Sequence, residues 1–150
     1  MKKTTLYTTH LELNAKMTSF GGYEMPIQYS GVTKEHLAVR SSVGVFDVSH
    51  MGEFYISGKN SLALLQHVCS NDISKVILGK AQHNYFPNKI GGIVDDLIVY
   101  RLEEELYLLV VNASNIEKDW EWLKKQNKVF NATLENKSEE IALIAIQDRK

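Results

Sequence analysis

The chain has 150 residues, of which 44% are hydrophobic and 23% are charged, and this composition is typical of one globular domain. Its 17 basic and 18 acidic residues are well mixed and give a net charge of -1, which argues against nucleic acid or an anionic membrane as a partner. The single cysteine, Cys69, excludes an intramolecular disulfide and a multi-cysteine metal site, and no apolar run reaches the length of a membrane span. We therefore expect a cytoplasmic protein.

In the first third of the chain, apolar spacing and glycine positions predict two helices and two strands. The helices are expected over residues 9–14 and from Thr33 to about Gly44, and the strands over residues 16–20 and 25–29, on either side of Gly21-Gly22. Further strands are predicted over residues 45–48 and 52–57.

The rest of the chain predicts two more helices and five more strands. A helix over residues 62–68 begins after a capping residue, Asn60, and the sequence Ser114-Asn115-Ile116-Glu117 matches a capping box that opens a helix to about residue 126. Strands are predicted over residues 82–86, 93–102, 106–112, 129–135 and 141–146. Because hairpins interrupt any strict alternation of strand and helix, the pattern predicts an α+β fold with mixed or antiparallel sheets and packed helices.

The absence of repeats and linkers predicts that residues 1–150 form a single unit. Its last predicted strand, residues 141–146, has the composition of a buried strand, yet only four residues follow it. Either this is the natural end of a small domain, or it is the cut end of a longer protein.

An acidic pair, Asp95-Asp96, lies inside the apolar strand predicted over residues 93–102. Successive side chains of a strand point to opposite faces, so the two carboxylates face opposite sides of a sheet that is expected to be covered on both. A charge in such a place is costly unless it is paired, hydrogen-bonded or facing a ligand. The pair therefore predicts at least one functional carboxylate, with a turn cap or a buried ion pair as the structural alternative.

Other reactive residues carry weaker signals. The five histidines do not show the spacings of metal ligands, so no metal site is expected. Asp47, Ser49 and His50 lie within four residues, which favours local hydrogen bonding in a tight turn over a nucleophilic triad. Seven tyrosines together with the acidic pair are compatible with a pocket for a flat heteroaromatic ligand.

Several segments together resemble the amino-terminal part of the glycine cleavage system T-protein, the tetrahydrofolate-dependent aminomethyltransferase. The resemblance is carried by Gly21-Gly22-Tyr23-Glu24-Met25-Pro26, by Phe46-Asp47-Val48-Ser49-His50-Met51-Gly52-Glu53, by Gly91-Gly92-Ile93-Val94-Asp95-Asp96-Leu97 and by Val111-Asn112-Ala113-Ser114-Asn115. To a degree these motifs are shared with folate-dependent relatives, including sarcosine- and dimethylglycine-oxidising modules and a sulfonium demethylase.

The resemblance implies a reaction in which an aminomethyl group on the lipoyl arm of H-protein yields ammonia and 5,10-methylenetetrahydrofolate. Tetrahydrofolate would be the cosubstrate and lipoylated H-protein the partner. The essential aspartate of the family matches Asp96. The positions that align near the ligand are Met51, Tyr55, His83, Ile98, Tyr100, Val110 and Asn112. Tyr55 and His83 stand where relatives often carry an aliphatic residue and a tyrosine.

The chain departs from the family pattern in two ways. Family members are about twice as long, and they usually continue the last strand with Gln-Gly-Pro, whereas this chain has Gln147-Asp148-Arg149-Lys150. We therefore expect a truncated amino-terminal part with negligible transferase activity in isolation. The alternatives are a non-enzymatic folate-binding or interaction module and a fragment of another folate-dependent demethylase or oxidase.

Overall fold

The computed structural model describes residues 1–149 and contains ten strands and four α-helices within them. In chain order these are β1 (Lys2–Lys3), α1 (Tyr7–Glu12), β2 (Lys16–Phe20), β3 (Tyr23–Gln28), α2 (Val32–Ser41), β4 (Val43–Asp47), β5 (Gly52–Ser57), α3 (Ser61–Val68), β6 (Ala81–Pro87), β7 (Ile93–Glu103), β8 (Leu106–Val111), α4 (Ile116–Asn127), β9 (Thr133–Asn136) and β10 (Ile144–Asp148). Short 3₁₀ turns lie at Ile73–Lys75 and Ala113–Asn115. The prediction of an α+β fold is confirmed.

These elements divide into two compact units. Unit 1 comprises Met1–His50 and the segment that begins at Ile141, and unit 2 comprises Met51–Glu140. That residues 1–150 act as one unit stays a prediction.

Unit 1 contains two small sheets. In the first, β3 lies between β1 and β2, and Gly21 and Gly22 make the hairpin between β2 and β3 with positive φ angles that glycine adopts without strain. In the second, β10 pairs antiparallel with β4, with Ile144 opposite Asp47. The expectation of a buried last strand over residues 141–146 is wrong: β10 begins at Ile144, and Ile146 is 74% exposed.

Unit 2 is built on a five-stranded antiparallel sheet with the order β6-β7-β8-β5-β9. One face of this sheet packs against α3 and α4 and forms the core with residues such as Phe54, Leu64, Val99, Leu109 and Leu123. Cys69 belongs to this core, as its apolar surroundings predicted.

Helix starts differ in detail from the predictions. Asn60 is at the N-cap of α3, but its side-chain amide donates to the Phe130 carbonyl oxygen at 2.6 Å instead of capping the helix. At α4 the N-cap is Asn115, which makes no side-chain cap, so the predicted capping box does not form. At α3 the contact with Phe130 takes the place of a cap, and at α4 a 3₁₀ turn, Ala113–Asn115, directly precedes the helix.

Candidate functional site

The central feature of unit 2 is the pleat of β7, which separates the two acidic side chains. Asp95 lies on the core face with Leu97 and Val99, and it is 8% exposed. Asp96 lies on the opposite face with Ile98 and Tyr100, and that face is half-buried or exposed in the described chain. The expected separation of the carboxylates is confirmed, whereas along β7 only the core-facing side chains are buried.

Strand register brings most of the predicted ligand residues onto this second face, which we call the open face. Ile98 lies opposite Val110 on β8 and opposite His83 on β6. Tyr100 lies opposite Leu108, which in turn lies opposite Tyr55 on β5. Because directly opposite residues share a face, the open face carries six of the eight predicted positions. These are Tyr55, His83, Asp96, Ile98, Tyr100 and Val110.

The other two predicted residues lie at one end of the same sheet. Asn112 follows β8 directly, and Met51 precedes β5 directly. Gly52, the first residue of β5, pairs with Val111, the last residue of β8. Met51 and Asn112 therefore lie at the same end of these two strands. Asn112 is in contact with Asp96, whereas Met51 is placed near this end by the register of its strand.

Two side chains hold the Asp96 carboxylate. His83 Nε2 lies 3.0 Å from Asp96 Oδ2, and Asn112 donates from Nδ2 to Asp96 Oδ1 at 2.9 Å. The hydrogen bond to His83 is the largest influence on the pKa of Asp96, and together with the Asn112 bond it lowers that pKa below its ordinary value. Asp96 is thus an ionised, oriented and accessible carboxylate beside an apolar surface.

Asn112 joins the two acidic residues across the sheet. Besides Asp96 Oδ1, its Nδ2 group lies 3.1 Å from Asp95 Oδ1 and 3.2 Å from the Asp96 carbonyl oxygen. One primary amide therefore contacts a buried carboxylate on one face and an exposed carboxylate on the other. The family resemblance implied a position near the folate for Asn112, but this bridge was not predicted from the sequence.

Asp119 is a residue that the sequence analysis missed. It lies in α4 and is fully buried, and no donor reaches either of its carboxyl oxygens apart from the carboxyl group of Asp95. Burial, followed by hydrogen bonding with Asp95 and the charge of Asp95, raises the pKa of Asp119 to about 8. Helical spacing gave a usable signal, because Asp119 is three residues after Ile116 and four before Leu123, on the apolar stripe.

Glu53 is a second acidic residue that was not predicted from the sequence, and its position in β5 places it on the open face. It lies opposite Val110 on β8, yet its side chain is fully buried and neither carboxyl oxygen has a hydrogen-bond partner. Burial raises the pKa of Glu53 to about 7. Strand alternation gave the signal here, since Glu53 shares a face with Tyr55.

Unit 1 contains a separate polar cluster around Asp47, which we call the Asp47 cluster: Thr4, His10, Tyr29, Asp47 and Ser49. The predicted local turn is present, because the Ser49 N–H donates to Asp47 Oδ1 at 2.9 Å. His10 Nε2 lies 2.8 Å from Asp47 Oδ2, Thr4 donates to the same oxygen at 2.7 Å, and the Tyr29 hydroxyl lies 2.8 Å from His10 Nδ1.

His50, the histidine of the predicted turn, is not part of this cluster. It packs edge-on against the rings of Phe20 and Tyr23, and its Nδ1 is buried without a partner. Burial lowers the pKa of His50, an effect that the charge of Asp47 opposes. Asp47 therefore receives a histidine from α1, 37 residues away in the chain, in place of its sequence neighbour.

Within residues 1–149 no group of three or more His, Cys, Asp or Glu side chains is arranged to hold a metal ion. No helix among these residues is both long and apolar enough to cross a membrane. An open groove of about 510 Å³ lies in unit 1 between α2 and β4 and is lined largely by apolar residues, including Val39, Val43 and Phe46.

The site thus lies on an antiparallel sheet of an α+β fold, whose open face presents one oriented carboxylate beside apolar and aromatic residues. A family model described as the GCVT N-terminal domain matches residues 6–148, and the chain belongs to this family. The resemblance to the amino-terminal part of the T-protein is thereby confirmed.

Curated relatives are called aminomethyltransferase. The chain is 55% identical over 150 residues to that of Flavobacterium psychrophilum, 57% to that of Phocaeicola vulgatus and 54% to that of Thermus thermophilus. All of this chain is covered in each alignment, but only 41%, 41% and 43% of these relatives. The chain thus spans about two fifths of their length.

A solved structure has the same fold. The crystal structure of glycine cleavage system aminomethyltransferase T from Bartonella henselae superposes with a TM-score of 0.88 at 34% identity. The superposition covers 99% of this chain and 41% of that protein.

Proposed function

We propose that this chain is the part of a glycine cleavage aminomethyltransferase that carries the essential aspartate and one wall of the folate site. The observation that supports this most directly is the Asp96 carboxylate, ionised and held by His83 and Asn112 on the open face. The names of the relatives and family membership supply the class of reaction.

The open face has the chemistry that a reduced folate requires. A pterin is flat, largely apolar on its faces, and rich in nitrogen donors along its edge. The half-buried Ile98 and Tyr100 offer a surface for the ring, and Asp96 offers an acceptor for a nitrogen. Val110, opposite Ile98, is itself buried. Met51, Tyr55 and His83 would complete the contacts from this part of the protein.

The proposed reaction moves one carbon between two nucleophiles. The aminomethyl carbon on the lipoyl sulfur of H-protein loses its bonds to sulfur and to the amino nitrogen, and it forms two bonds to tetrahydrofolate nitrogens. The two protons displaced from those nitrogens leave on the thiol and on ammonia, so no oxidant or reductant is needed. Asp96 would orient the folate and stabilise positive charge that develops at the transferred carbon.

Because the chain spans about two fifths of its relatives, the rest of the folate site and the docking of the lipoyl arm are assigned to sequence outside these 150 residues. We therefore propose that the 150-residue chain has negligible transferase activity alone. Cys69 as its single cysteine fits a protein of the reducing cytoplasm.

Calorimetric titration of the chain with 5-formyltetrahydrofolate tests the proposal. We expect saturable heat that weakens at least tenfold in Asp96→Asn, because an amide cannot replace the charge of the carboxylate. The matched control is Glu104→Gln, which makes the same charge change in the exposed turn between β7 and β8. It should bind like the original chain.

The outcomes separate the candidate functions. Equal binding by the chain and by Asp96→Asn would contradict the proposed role of Asp96. Turnover by the chain with lipoylated H-protein and tetrahydrofolate would refute its inactivity in isolation. Tight folate binding without activity, even after the part of a relative that this chain does not span is supplied as a second polypeptide, would favour a non-enzymatic folate-binding module.

A further inference from the structure

The contact between Asp95 and Asp119 requires an explanation that the folate site alone does not give. Both residues lie on the core side of the sheet, where α4 packs. Both oxygens of Asp119 and Oδ2 of Asp95 are shielded from solvent, and apart from each other's carboxyl group no donor reaches them. Two ionised carboxylates in such a place would repel each other with little screening by water.

One shared proton resolves both problems. A neutral Asp119 has one O–H, which can be donated to a carboxyl oxygen of Asp95. The second oxygen of Asp95 accepts from Asn112 at 3.1 Å. With a single proton, each carboxyl group of the pair gains a hydrogen bond and the repulsion is removed.

Asn112 connects the buried pair of Asp95 and Asp119 to Asp96 on the open face. A primary amide has two N–H groups, and Asp95 engages Nδ2 from the core side. This contact fixes the plane of the amide, so that Nδ2 also points at Asp96 Oδ1, 2.9 Å away. The chain of contacts therefore runs from Asp119 to Asp95, to Asn112 and to Asp96.

We propose that Asp119 is a positioning residue that, as a neutral acid, holds Asp95 in place and thereby keeps Asn112 aimed at Asp96. The proposal deepens the proposed function and rests on it for the role of Asp96. It assigns no contact with folate to Asp119, which lies on the core side of the sheet.

The groups around Asp119 agree with this protonation. Asp95 and Asp96 on β7 both favour its neutral form, whereas Lys118, its neighbour on α4, opposes them. Lys118 Nζ is engaged by the Val94 carbonyl oxygen at 2.6 Å, so it is not paired with Asp119 in the structure. The location of Asp119 in the first turn of α4 would favour a negative charge, but burial and two acidic neighbours outweigh that effect.

Carboxyl carbon-13 NMR of the 150-residue chain tests the protonation directly. We expect the Asp119 carboxyl to titrate near pH 8, with the Asn112 side-chain amide and the Asp96 carboxyl shifting in the same step. Titration of Asp119 below pH 5, or titration near pH 8 without any response at Asn112 and Asp96, would overturn the proposal. This measurement uses no variant, so failure of a mutant to fold does not affect it.

A matched pair of variants tests the positioning role. Asp119→Asn keeps a neutral donor of the same shape, and Asp119→Leu keeps the volume but removes the donor. We expect Asp119→Asn to preserve the Asn112 amide signals, and Asp119→Leu to displace them and to move the pKa of Asp96 toward its ordinary value. Identical effects of the two variants on Asn112 and Asp96 would overturn the proposal.

Folate binding separates this inference from the proposed function. Where the original chain binds 5-formyltetrahydrofolate, its affinity should fall about fivefold above pH 8, the equivalent of one hydrogen bond, and Asp119→Asn should abolish that fall. Where the original chain shows no binding, the proposed function fails for this chain, but the titration of Asp119 and its coupling to Asn112 still decide the inference.

Discussion

The two units each bury carboxyl groups, but they treat the charge in opposite ways. In unit 1 the Asp47 side chain is fully buried and accepts hydrogen bonds from Thr4, His10 and Ser49. In unit 2 Glu53 has no hydrogen-bond partner and Asp119 meets only another acid. Burial is therefore similar in the two places, and the supply of donors differs.

The pKa values follow from this difference. Burial is the largest single influence on Asp47 and raises its pKa, but the bonds from Ser49, His10 and Thr4 together outweigh it and lower the pKa below its ordinary value. Burial acts without such opposition on Glu53 and on Asp119 and raises their pKa values to about 7 and about 8. A buried acid surrounded by donors is thus ionised and anchors the structure, whereas a buried acid without donors stays protonated to a higher pH.

The largest effect is expected from removing the anchor. Asp47→Ala leaves the donors of Thr4, His10 and Ser49 without an acceptor, and we expect unit 1 to lose about 3 kcal/mol of stability. Amide hydrogen exchange of β3 and β4 measures this loss. Glu12→Ala, at an exposed position of the same unit, is the control, and a loss below about 1 kcal/mol for Asp47→Ala would contradict the anchoring role.

The next prediction contrasts the pH dependence of the two units. In the folded chain Asp119 and Glu53 stay protonated up to about pH 8 and 7, whereas their ordinary pKa values are 3.8 and 4.5. Between about pH 5 and 7 the folded state therefore binds more protons than the unfolded state. The stability of unit 2 should fall as the pH rises, by up to about 1.4 kcal/mol per pH unit for each group.

Unit 1 should show the reverse dependence. The lowered pKa of Asp47 contributes stability above the pKa of an unfolded aspartate, and this is lost as the pH falls through the folded-state value. Both tryptophans, Trp120 and Trp122, lie in α4, so urea unfolding followed by their fluorescence reports on unit 2. Asp119→Asn should flatten the dependence of unit 2, and an unchanged slope in that variant would contradict the assignment.

Gly52 lies where β5 and α4 pack closely against each other. A Cβ atom at Gly52 would approach Ile116 Cγ1 and Val111 Cγ2 to 2.7 Å, so β5 and α4 cannot both keep their places. We expect Gly52→Ala to cost about 1 to 2 kcal/mol in urea unfolding monitored by tryptophan fluorescence. Ser57→Ala, at the other end of β5, should cost less, and equal losses would show that the contact with Ile116 is not the cause.

How far the sequence alone leads can be judged from particular residues. Strands β2 and β5 have the predicted ends because glycines and turn residues bound their alternating patterns. The two-residue strand β1 was missed because its lysines carry no alternation, and it exists only through pairing with β3. Apolar composition wrongly indicated burial at β10, because this strand pairs with β4 while its side chains Ile144 and Ile146 stay exposed.

At the site, the pleat was enough to separate Asp95 from Asp96, and strand register then gathers the open-face residues. The bridge made by Asn112 could not be read from sequence, because it depends on a side-chain direction just beyond a strand end. Asp119 and Glu53 occupy positions that the helical and strand periods place inside, but such a period predicts burial for apolar residues and not for acids. The residue-level site, including Asp96 as the catalytic residue, stays a prediction until folate binding is measured.

The smallest effect is expected at the exposed end of the acidic system, where His83 contacts Asp96. Both side chains are more than half exposed, so this pair should contribute no more than about 0.5 kcal/mol to stability. The main effect of His83 should be on the pKa of Asp96, because the hydrogen bond to His83 is the largest influence that lowers this pKa. Carbon-13 NMR should show this pKa moving toward its ordinary value in His83→Phe.

His83→Tyr is the informative partner of that variant. A tyrosine hydroxyl can donate to a carboxylate, so it should keep part of the lowered pKa of Asp96 while it removes the imidazole. If neither variant raises the pKa of Asp96, donation by residue 83 to Asp96 is contradicted, and Asn112 alone holds the carboxylate. In that case the orientation of Asp96 depends entirely on the buried pair beneath the sheet, and the contrast between the donor-rich Asp47 cluster and the donor-poor acids of unit 2 becomes sharper.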